Sequence, residues 1–388
     1  MASAEEGIIH LRKMFELLEQ FLQMDEFDTD LKEELSATCP NYFTVLSTAK
    51  RDLLRSDCGI VITGESSAEK TSLVNLLIEH RNMFQSINVA NTRTICRIRN
   101  SETMRVELFT ENDELKRKVH INDFKQLKST LKKLSSIIKL QEEKDVCYVD
   151  VYLPVKILKE NVIIVDTPGI GETENLNHML LDFLPHAVSF IFVINANNAG
   201  GIHEDRIMKI LKTIIDNKQN MPCFNPRDVM FLTNKWDIVE RDSSDDEDEE
   251  DDEDDSEKGE TEDEETWNLI KDKLYKGWGP IPDNNLFRVS LKKVKRGQTS
   301  ELTKEYDRFK TLLLETIERS ANKRMLYYYS FFKTFANNAE RGTRARLQLL
   351  ETPQHEQEMK FEKNKLYRNC SLGKRMYRVR SEFQEVQR

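Results

Sequence analysis

Two hydrophobic periodicities divide the chain, and the change between them falls near residue 57. In the first 56 residues apolar positions recur every three or four residues, which predicts amphipathic helices. The clearest apolar stripe consists of Ile8, Leu11, Phe15, Leu18 and Leu22. A second amphipathic stretch runs from about Thr44 to Leu54. We therefore expect an N-terminal helical arm over residues 1–56.

Between Cys58 and Ser290, short apolar segments rich in β-branched residues alternate with longer helical patterns. Seven segments are predicted to be strands: "CGIVITG", "MRVELFT", "VCYVDVYLP", "NVIIVDTPG", "SFIFVINA", "DVMFLTNKWD" and "NLFRVS". Apolar strands separated by helices are typical of a parallel sheet that is covered on both faces. We expect an α/β domain over residues 57–300, with a mostly parallel central sheet.

The pattern is helical again from about Leu302 to the end of the chain, which predicts a C-terminal helical arm over residues 301–388. Each arm has an apolar stripe that must be buried. We therefore expect the two arms to pack on each other as a helical bundle.

One segment sets the net charge of -10 of this 388-residue chain. Residues 242–265 contain 18 Asp or Glu and one Lys, a local charge of -17, so the rest sums to -10 + 17 = +7. Such a composition cannot build a core, and it predicts a disordered acidic insert at 241–266. The simplest role is a solvated linker. Binding of a cation or a basic partner, or phosphorylation at Ser243, Ser244 or Ser256, are the alternatives.

Three features favour a cytoplasmic location. The six cysteines are scattered without a C-x-x-C motif, as is typical of free thiols. The N-terminus "MASAEEG" is acidic, unlike a secretory signal or a mitochondrial presequence. The longest apolar runs, such as "VSFIFVI", are too short to cross a bilayer. We expect no nucleic-acid partner.

The stretch "VITGESSAEKTS", residues 61–72, is close to the phosphate-binding pattern G-x-x-x-x-G-K-[ST]. A strand, a turn and a helix start direct several backbone N–H groups to one point, where the helix dipole also favours anions. The candidate nucleotide-binding residues here are Gly64, Glu65, Ser66, Ser67, Ala68, Glu69, Lys70, Thr71 and Ser72. Lys70 is the candidate for the phosphates and Thr71 for Mg²⁺.

Two further motifs follow apolar strands. "NVIIVDTPGIGE" places Asp166 at a strand end, where it is predicted to hold Mg²⁺ through water, and Gly169 is predicted to offer its N–H to a γ-phosphate. "VMFLTNKWD" ends in Asn234, Lys235 and Asp237. A carboxylate at 237 accepts hydrogen bonds from the ring N–H and the amine of guanine, a donor pair that adenine lacks.

Ser290 ends the last predicted strand, where a loop is expected to close over the base. Three motifs in this order predict guanine-nucleotide binding.

These motifs resemble those of dynamin-superfamily GTPases, nearest to the mitofusin and bacterial dynamin-like branch. "SSAEKTSLVNLL" is similar to the phosphate loop of that family, S-A-G-K-S-S or S-N-G-K-S-T, and "DTPG" and "TNKWD" match its second and third motifs. The resemblance covers roughly 57–300. It implies Mg²⁺-dependent hydrolysis of GTP to GDP and phosphate, with helices flanking the GTPase domain on both sides.

The resemblance also implies roles for single residues. Ser67 matches a serine that binds a charge-compensating monovalent cation. In "ANTRTICRIRN", Thr94 matches a threonine that holds Mg²⁺ and the attacking water; Thr92 is the alternative, and both are otherwise plain strand-entry residues. Ser67, Lys70 and Thr94 are thus the candidate catalytic residues.

At the level of the whole molecule, the resemblance implies that two GTPase domains associate across their nucleotides and that the helical arms convert turnover into movement, in membrane remodelling. A peripheral location on a membrane is therefore an expectation from the resemblance alone, because the sequence contains no segment that would insert into a bilayer. The partners of the arms and of the acidic insert are unknown.

Glu69 departs from the family pattern, which has glycine at this position. Two like charges at ~6 Å repel by roughly 2–3 kcal/mol at an effective dielectric constant near 20, and by less when the side chain points into solvent. Two hypotheses follow. The chain is a working GTPase, or it is a degenerate GTPase that acts as a nucleotide-gated interaction scaffold with little turnover.

Overall fold

The fold was analysed in a computed structural model of the chain. The structure describes residues 4–23, 32–33, 35–36, 41–54, 57–64, 66–80, 82–84, 94–139, 145–158, 162–167, 187–197, 211–212, 214–216, 224–239 and 262–351. The predicted site residues Glu65, Thr92 and Gly169 lie outside these ranges, as do residues 241–261 of the acidic insert.

Seven helices and nine strands are delimited within the described residues. The helices are α1 (Ala4–Gln23), α2 (Tyr42–Leu53), α3 (Lys70–Leu77), α4 (Phe124–Lys139), α5 (Glu262–Trp278), α6 (Leu291–Arg296) and α7 (Glu301–Leu350). The strands are β1 (Cys58–Gly64), β2 (Ile95–Asn100), β3 (Arg105–Phe109), β4 (Leu115–His120), β5 (Tyr148–Leu153), β6 (Val162–Asp166), β7 (Ala187–Asn195), β8 (Met230–Asn234) and β9 (Leu286–Val289).

The strands form one sheet in the order β4-β3-β5-β2-β6-β1-β7-β8-β9. Five of the eight pairings are parallel, and β2–β6, β3–β4 and β3–β5 are antiparallel. The mostly parallel sheet is therefore confirmed. In the parallel half the carboxyl ends of β6, β1, β7 and β8 lie at one edge, where polar residues that follow each strand come together.

Each face of the sheet has its own apolar core, because successive residues of a strand point to opposite faces. Ile60 and Ile62 of β1 lie in one core together with α3 and with Leu127 and Leu131 of α4. Val61 lies in the other core, together with residues of α5 such as Ile270 and Leu274. Strands β1, β6, β7 and β8 are buried throughout, which explains their continuous apolar sequence.

Two compact units divide the chain, and the 50-residue helix α7 runs from one into the other. The α/β unit includes Leu54–Tyr327. It extends beyond the predicted boundary at residue 300, because the first part of α7 buries its apolar stripe in the α/β core. The buried residues of that stripe include Tyr306, Phe309, Leu313 and Ile317.

The second unit includes Glu6–Leu53 and the chain from Tyr328 onwards. The ring of Phe15 on α1 packs edge-on against Phe332 of α7, with centroids 5.3 Å apart, and lies parallel to Phe331 at 6.4 Å. Lys50 of α2 forms an ion pair with Glu19 of α1 at 2.7 Å. The two helical arms therefore pack on each other. Among the described helices, none combines the length and apolar character needed to cross a bilayer.

Three elements differ from the expectation. Strands β2 and β4 were not among the seven predicted strands, since "ICRIRN" and "LKRKVH" carry charges at alternate or successive positions. Strand β4 is a charged edge strand, which limits edge-to-edge aggregation. Helix α5 begins at Glu262, so the predicted disorder of residues 262–266 is wrong. Acidic residues suit a first helical turn because they interact favourably with the helix dipole.

Candidate nucleotide-binding site

The candidate phosphate loop leaves β1 at Gly64, where the backbone approaches β7 closely. Gly64 has φ +146°, and a Cβ atom built on it would lie 2.0 Å from the carbonyl oxygen of Val193. No side chain is compatible with such a distance to a backbone atom, so this turn requires glycine. A short 3₁₀ helix, Ser66–Ala68, follows and leads into α3 at Lys70.

Glu69 adopts the left-handed conformation, φ 68° and ψ 38°, immediately before α3. Glycine adopts this conformation without strain, whereas a residue with a Cβ atom pays a cost. The backbone of the loop is therefore that of the glycine pattern, with glutamate in the glycine position. The Glu69 side chain is exposed and makes no capping hydrogen bond to α3. Because it lies in solvent, its charge is screened from the loop.

Lys70 and Thr71 point inward from the first turn of α3. Lys70 is 5% exposed, and its Nζ donates to the carbonyl oxygen of Gly64 at 2.9 Å. The Thr71 hydroxyl donates to Oδ2 of Asp166 at 3.4 Å, which connects the first motif to the second. Strands β1 and β6 pair in parallel with Ile62 opposite Asp166, and this register places the carboxylate beside the loop.

Asp166 and the residue after it are held to β1 as well. The Thr167 amide and its hydroxyl both donate to the carbonyl oxygen of Ile62, at 3.2 and 3.0 Å. The neighbouring Cys96 lies opposite Asp166 in β2. Burial, together with the negative charges of Asp166 and Asp150, raises the pKa of the Cys96 thiol well above its ordinary value, so this thiol stays neutral.

Thr94 lies at the same edge of the sheet, because β2 runs antiparallel to β6. It is 1% exposed, and its hydroxyl donates to the carbonyl oxygen of Val146 at 3.3 Å. The proposed contact with Mg²⁺ and water requires this hydroxyl to exchange that partner. The role of Thr94 stays a prediction.

The third motif is tied directly to the first. The side-chain amide of Asn234 donates to the carbonyl oxygen of Ala68 at 3.1 Å, and its Oδ1 accepts from the backbone N–H of Leu291 at 3.0 Å. Asn234 is 1% exposed. A single buried side chain thereby links the phosphate loop, the end of β8 and the start of α6.

Asp237 and Ser290 form the second link at this end of the site. The Ser290 hydroxyl donates to Oδ1 of Asp237 at 2.6 Å, and its oxygen accepts from the backbone N–H of Lys293 as the N-cap of α6. Lys235 adopts a left-handed conformation, φ 75°, and is half-buried. The structure thus brings Asp237 and Ser290 together, as the sequence order suggested.

One side chain outside the predicted site residues also reaches the loop. Asn195 ends β7, and its side-chain amide donates to the hydroxyl of Ser67 at 3.4 Å. A polar residue that ends a strand buried along its whole length is the available signal. Ser72 has a backbone role, since its N–H donates to the carbonyl oxygen of Glu69 and closes the first turn of α3.

Comparisons with known proteins agree with this geometry. Residues 60–223 match the family model of the dynamin family. A bacterial dynamin-like protein of Nostoc punctiforme is 24% identical over 199 residues, which cover 50% of this chain and 27% of that protein. The transmembrane GTPase Marf of Drosophila melanogaster is 23% identical over 201 residues, which cover 51% of this chain and 22% of Marf.

A solved structure of an oligomerised bacterial dynamin pair is also similar, with a TM-score of 0.46, 15% identity and coverage of 95% of this chain and 51% of that one. The match spans only about a quarter of the length of the two curated relatives. The family-model match lies within the α/β domain and includes the first two motifs, and it identifies residues 60–223 as a region of the dynamin family.

Proposed function

We propose that this chain binds GTP with Mg²⁺ and hydrolyses it to GDP and phosphate. The observation that carries the proposal is the buried network at the carboxyl edge of the sheet. In this network Asn234 is bonded to the phosphate loop and Asp237 to Ser290, while Lys70 and Asp166 face the same loop. The contacts of Asn234 with Ala68 and of Thr71 with Asp166 each join two of the three motifs that define a guanine-nucleotide site.

Selection of guanine rests on Asp237. The residue is 5% exposed, and its carboxylate already accepts one hydrogen bond from Ser290. A buried carboxylate needs donors, and guanine supplies a ring N–H and an amine on one edge. Adenine leaves the same carboxylate without that donor pair. Because hydrogen bonding fixes the position of Asp237, the cost of leaving its carboxylate without donors supports selection of guanine over adenine.

The phosphates and the cation belong to the other end of the site. The Lys70 ammonium would bind phosphate oxygens in place of the Gly64 carbonyl oxygen. Thr71 would supply one oxygen ligand and the neighbouring Asp166 would hold Mg²⁺ through water, and hard oxygen donors of this kind fit Mg²⁺. Bound there, Mg²⁺ neutralises charge that develops on the phosphate oxygens. Thr94 would position the attacking water, and Ser67 with Asn195 would bind a monovalent cation.

We propose hydrolysis rather than a scaffold role because the exposed side chain of Glu69 leaves the loop backbone in the conformation of the glycine pattern. Self-association through the GTPase domain, movement of the helical arms and a peripheral location on a membrane complete the proposal. They rest on the family alone.

Two measurements on the full chain test the proposal. Isothermal titration calorimetry with Mg²⁺ should show binding of GTP and GDP and much weaker binding of ATP. Single-turnover assays should show phosphate release by the wild type and none by Lys70→Ala. Absence of guanine-nucleotide binding would overturn the whole proposal. If the wild type binds GTP but releases no phosphate, and Glu69→Gly restores phosphate release, the scaffold alternative is established instead.

A further inference from the structure

Helix α4 presents a surface of unusual composition. Its 16 residues, Phe124–Lys139, include five lysines and no acidic residue. Lys125, Lys128, Lys132 and Lys133 are exposed, and we call these four residues the lysine surface. The apolar side of α4 is buried in the core through Leu127, Leu131 and Leu134.

Strand β4, which immediately precedes α4, is also basic, although Lys116 and Lys118 form ion pairs with Asp145 and Glu107 at 3.0 and 2.9 Å. Residues 115–139 contain eight Lys or Arg and one acidic residue. Lys125 and Lys128 are one helical turn apart, and like charges at this spacing destabilise a helix. A polyanionic partner would remove that cost.

The same chain contains a matching polyanion. The acidic insert has a local charge of -17 over residues 242–265, and its last part is located by the start of α5 at Glu262. Residues 115–139 carry eight basic and one acidic residue, 8 − 1 = +7, and residues 242–265 carry a charge of -17. Complementary potentials of this kind steer association and fix the orientation of the partners.

Chain geometry opposes an encounter within one molecule. Strand β4 is at one edge of the sheet, and β8, which precedes the insert, is seven strand spacings away, about 34 Å. Residues 240–261 number 22, so their midpoint reaches at most about 37 Å from its anchors at full extension.

The two elements also lie on opposite faces of the sheet. Leu127 and Leu131 of α4 are in one apolar core, and Ile270 and Leu274 of α5 are in the other. A fully extended insert would therefore touch the near end of α4 at most. It has no length left to lie along a helix of about 24 Å.

We propose that the lysine surface of one molecule binds the acidic insert of a second copy of this chain. Each copy then has one donor and one acceptor surface, so copies either join in a chain that grows with concentration or bind each other's inserts in a closed pair. The contact does not involve the nucleotide site and needs no nucleotide. It is therefore independent of the proposed GTPase activity.

An anionic membrane is the rival partner for the lysine surface. Helices that lie in a membrane interface place an apolar face among the lipids. The apolar face of α4 is instead buried in the protein core, which leaves only lysines to contact a bilayer. The chain supplies its own polyanion of fixed sequence, and the observations therefore favour a second copy.

Sedimentation velocity of the nucleotide-free full chain at 50 mM and 300 mM NaCl tests the proposal. Wild type should self-associate at low salt and dissociate at high salt, since the Debye length falls below about 10 Å above 0.1 M. Two variants should each be monomeric at both salts. The first is Lys125→Glu with Lys128→Glu and Lys132→Glu. The second replaces the acidic run 245–255 with the matching Asn and Gln residues.

Mixing the two variants gives the decisive result. The first variant keeps its acidic insert and the second keeps its lysine surface, so an equimolar mixture should form a 1:1 heterodimer that grows no further. The matched control, Lys13→Glu with Lys276→Glu and Lys292→Glu, changes the net charge equally at scattered exposed positions and should associate as the wild type does. Circular dichroism checks that each variant is folded.

Three outcomes would overturn the proposal. A wild type that is monomeric at both salts has no such contact, and a mixture that remains monomeric excludes pairing of these two surfaces. Binding of the wild type and the insert variant, but not of the α4 variant, to phosphatidylserine vesicles, with self-association unchanged in all three, would assign the lysine surface to lipid.

Discussion

The two ends of the candidate site are built differently. At the base end, Asn234 and Asp237 are buried and are fixed by hydrogen bonds to other elements of the protein. At the phosphate end, Lys70 donates to Gly64 of its own loop and Thr94 donates to Val146. The base end is thus preorganised, whereas the phosphate end must exchange internal hydrogen bonds for contacts with the ligand.

This difference indicates that the two ends of the candidate site contribute differently to nucleotide binding and to hydrolysis. Preorganised groups bind without paying for rearrangement, so the base end should dominate selectivity. Groups that change partner on binding contribute less to affinity, but they respond to the presence of the γ-phosphate. Glu69, which departs from the family pattern, lies at the phosphate end, where internal hydrogen bonds would have to be exchanged for contacts with the nucleotide.

Gly64→Ala should have the largest effect, because both ends depend on the turn after β1. The added Cβ would meet the carbonyl oxygen of Val193 at 2.0 Å, so we expect a loss of about 3 kcal/mol or more in the free energy of unfolding. Gly279→Ala is the matched control, since Gly279 also has positive φ but has no atom within 4 Å of its Cβ position. Urea unfolding curves that show equal losses for the two variants would contradict this account.

Asp237→Asn tests the base end. Replacing the carboxylate removes two charge-assisted hydrogen bonds to guanine, so GTP affinity should fall by roughly a hundredfold or more, about 3 kcal/mol. Xanthine has a carbonyl group where guanine has an amine, and an asparagine amide donates to it, so xanthosine triphosphate should bind better than GTP.

Asp228→Asn is the control for that substitution. Asp228 immediately precedes β8, so it lies at the amino end of the strand, away from the candidate site, and it is paired with Arg319. Calorimetric titrations of both variants decide the matter. Equal GTP affinity in wild type and Asp237→Asn would remove Asp237 from the site.

The base end was also the part whose candidate residues follow most directly from the local sequence. "TNKWD" contains its polar residues in a fixed local order after an apolar strand, so Asn234 and Asp237 are recognisable without tertiary information. What remained hidden was their partners. The bonds of Asn234 to Ala68 and of Ser290 to Asp237 span 166 and 53 residues, and only the sheet order reveals them.

Strand β2 was missed for a related reason. Arg97 and Arg99 in β2 are charged, yet Arg97 is buried because it forms an ion pair with Asp150 and lies over the ring of Tyr148 at 4.4 Å. A hydrophobic pattern cannot predict burial that depends on a partner 53 residues away. The left-handed conformation of Glu69 was also not predictable, since glutamate, unlike glycine, does not indicate a positive φ.

Ser290→Ala should lower stability and GTP affinity by smaller amounts than Gly64→Ala and Asp237→Asn do. It removes the hydrogen bond to Asp237 and the N-cap of α6, at 2.6 and 3.2 Å. We expect a loss of about 1 kcal/mol of stability and roughly tenfold in GTP affinity. Ser290→Thr keeps the hydroxyl and should retain both properties. If Ser290→Ala lowers stability but leaves GTP affinity unchanged, Ser290 serves only as a helix cap and the base end is less interdependent than proposed.

Glu69→Gly should have the smallest effect on stability, and it sharpens the comparison at the phosphate end. Relief of the left-handed conformation contributes about 1–2 kcal/mol, and the greater freedom of glycine in the unfolded chain costs about 0.5–1 kcal/mol, so we expect a net gain of about 0.5–1 kcal/mol. Glu69→Gln separates backbone from charge, since it keeps the Cβ atom and removes the carboxylate.

If solvent screens Glu69, Glu69→Gln should change GTP affinity by less than about twofold, and the change should vanish at high salt. Glu69→Gly should gain stability in urea unfolding experiments whatever the nucleotide does. A tenfold or greater rise in GTP affinity for Glu69→Gln would show that the carboxylate reaches the phosphates. In that case the phosphate end is set by direct repulsion and not by the exchange of internal hydrogen bonds.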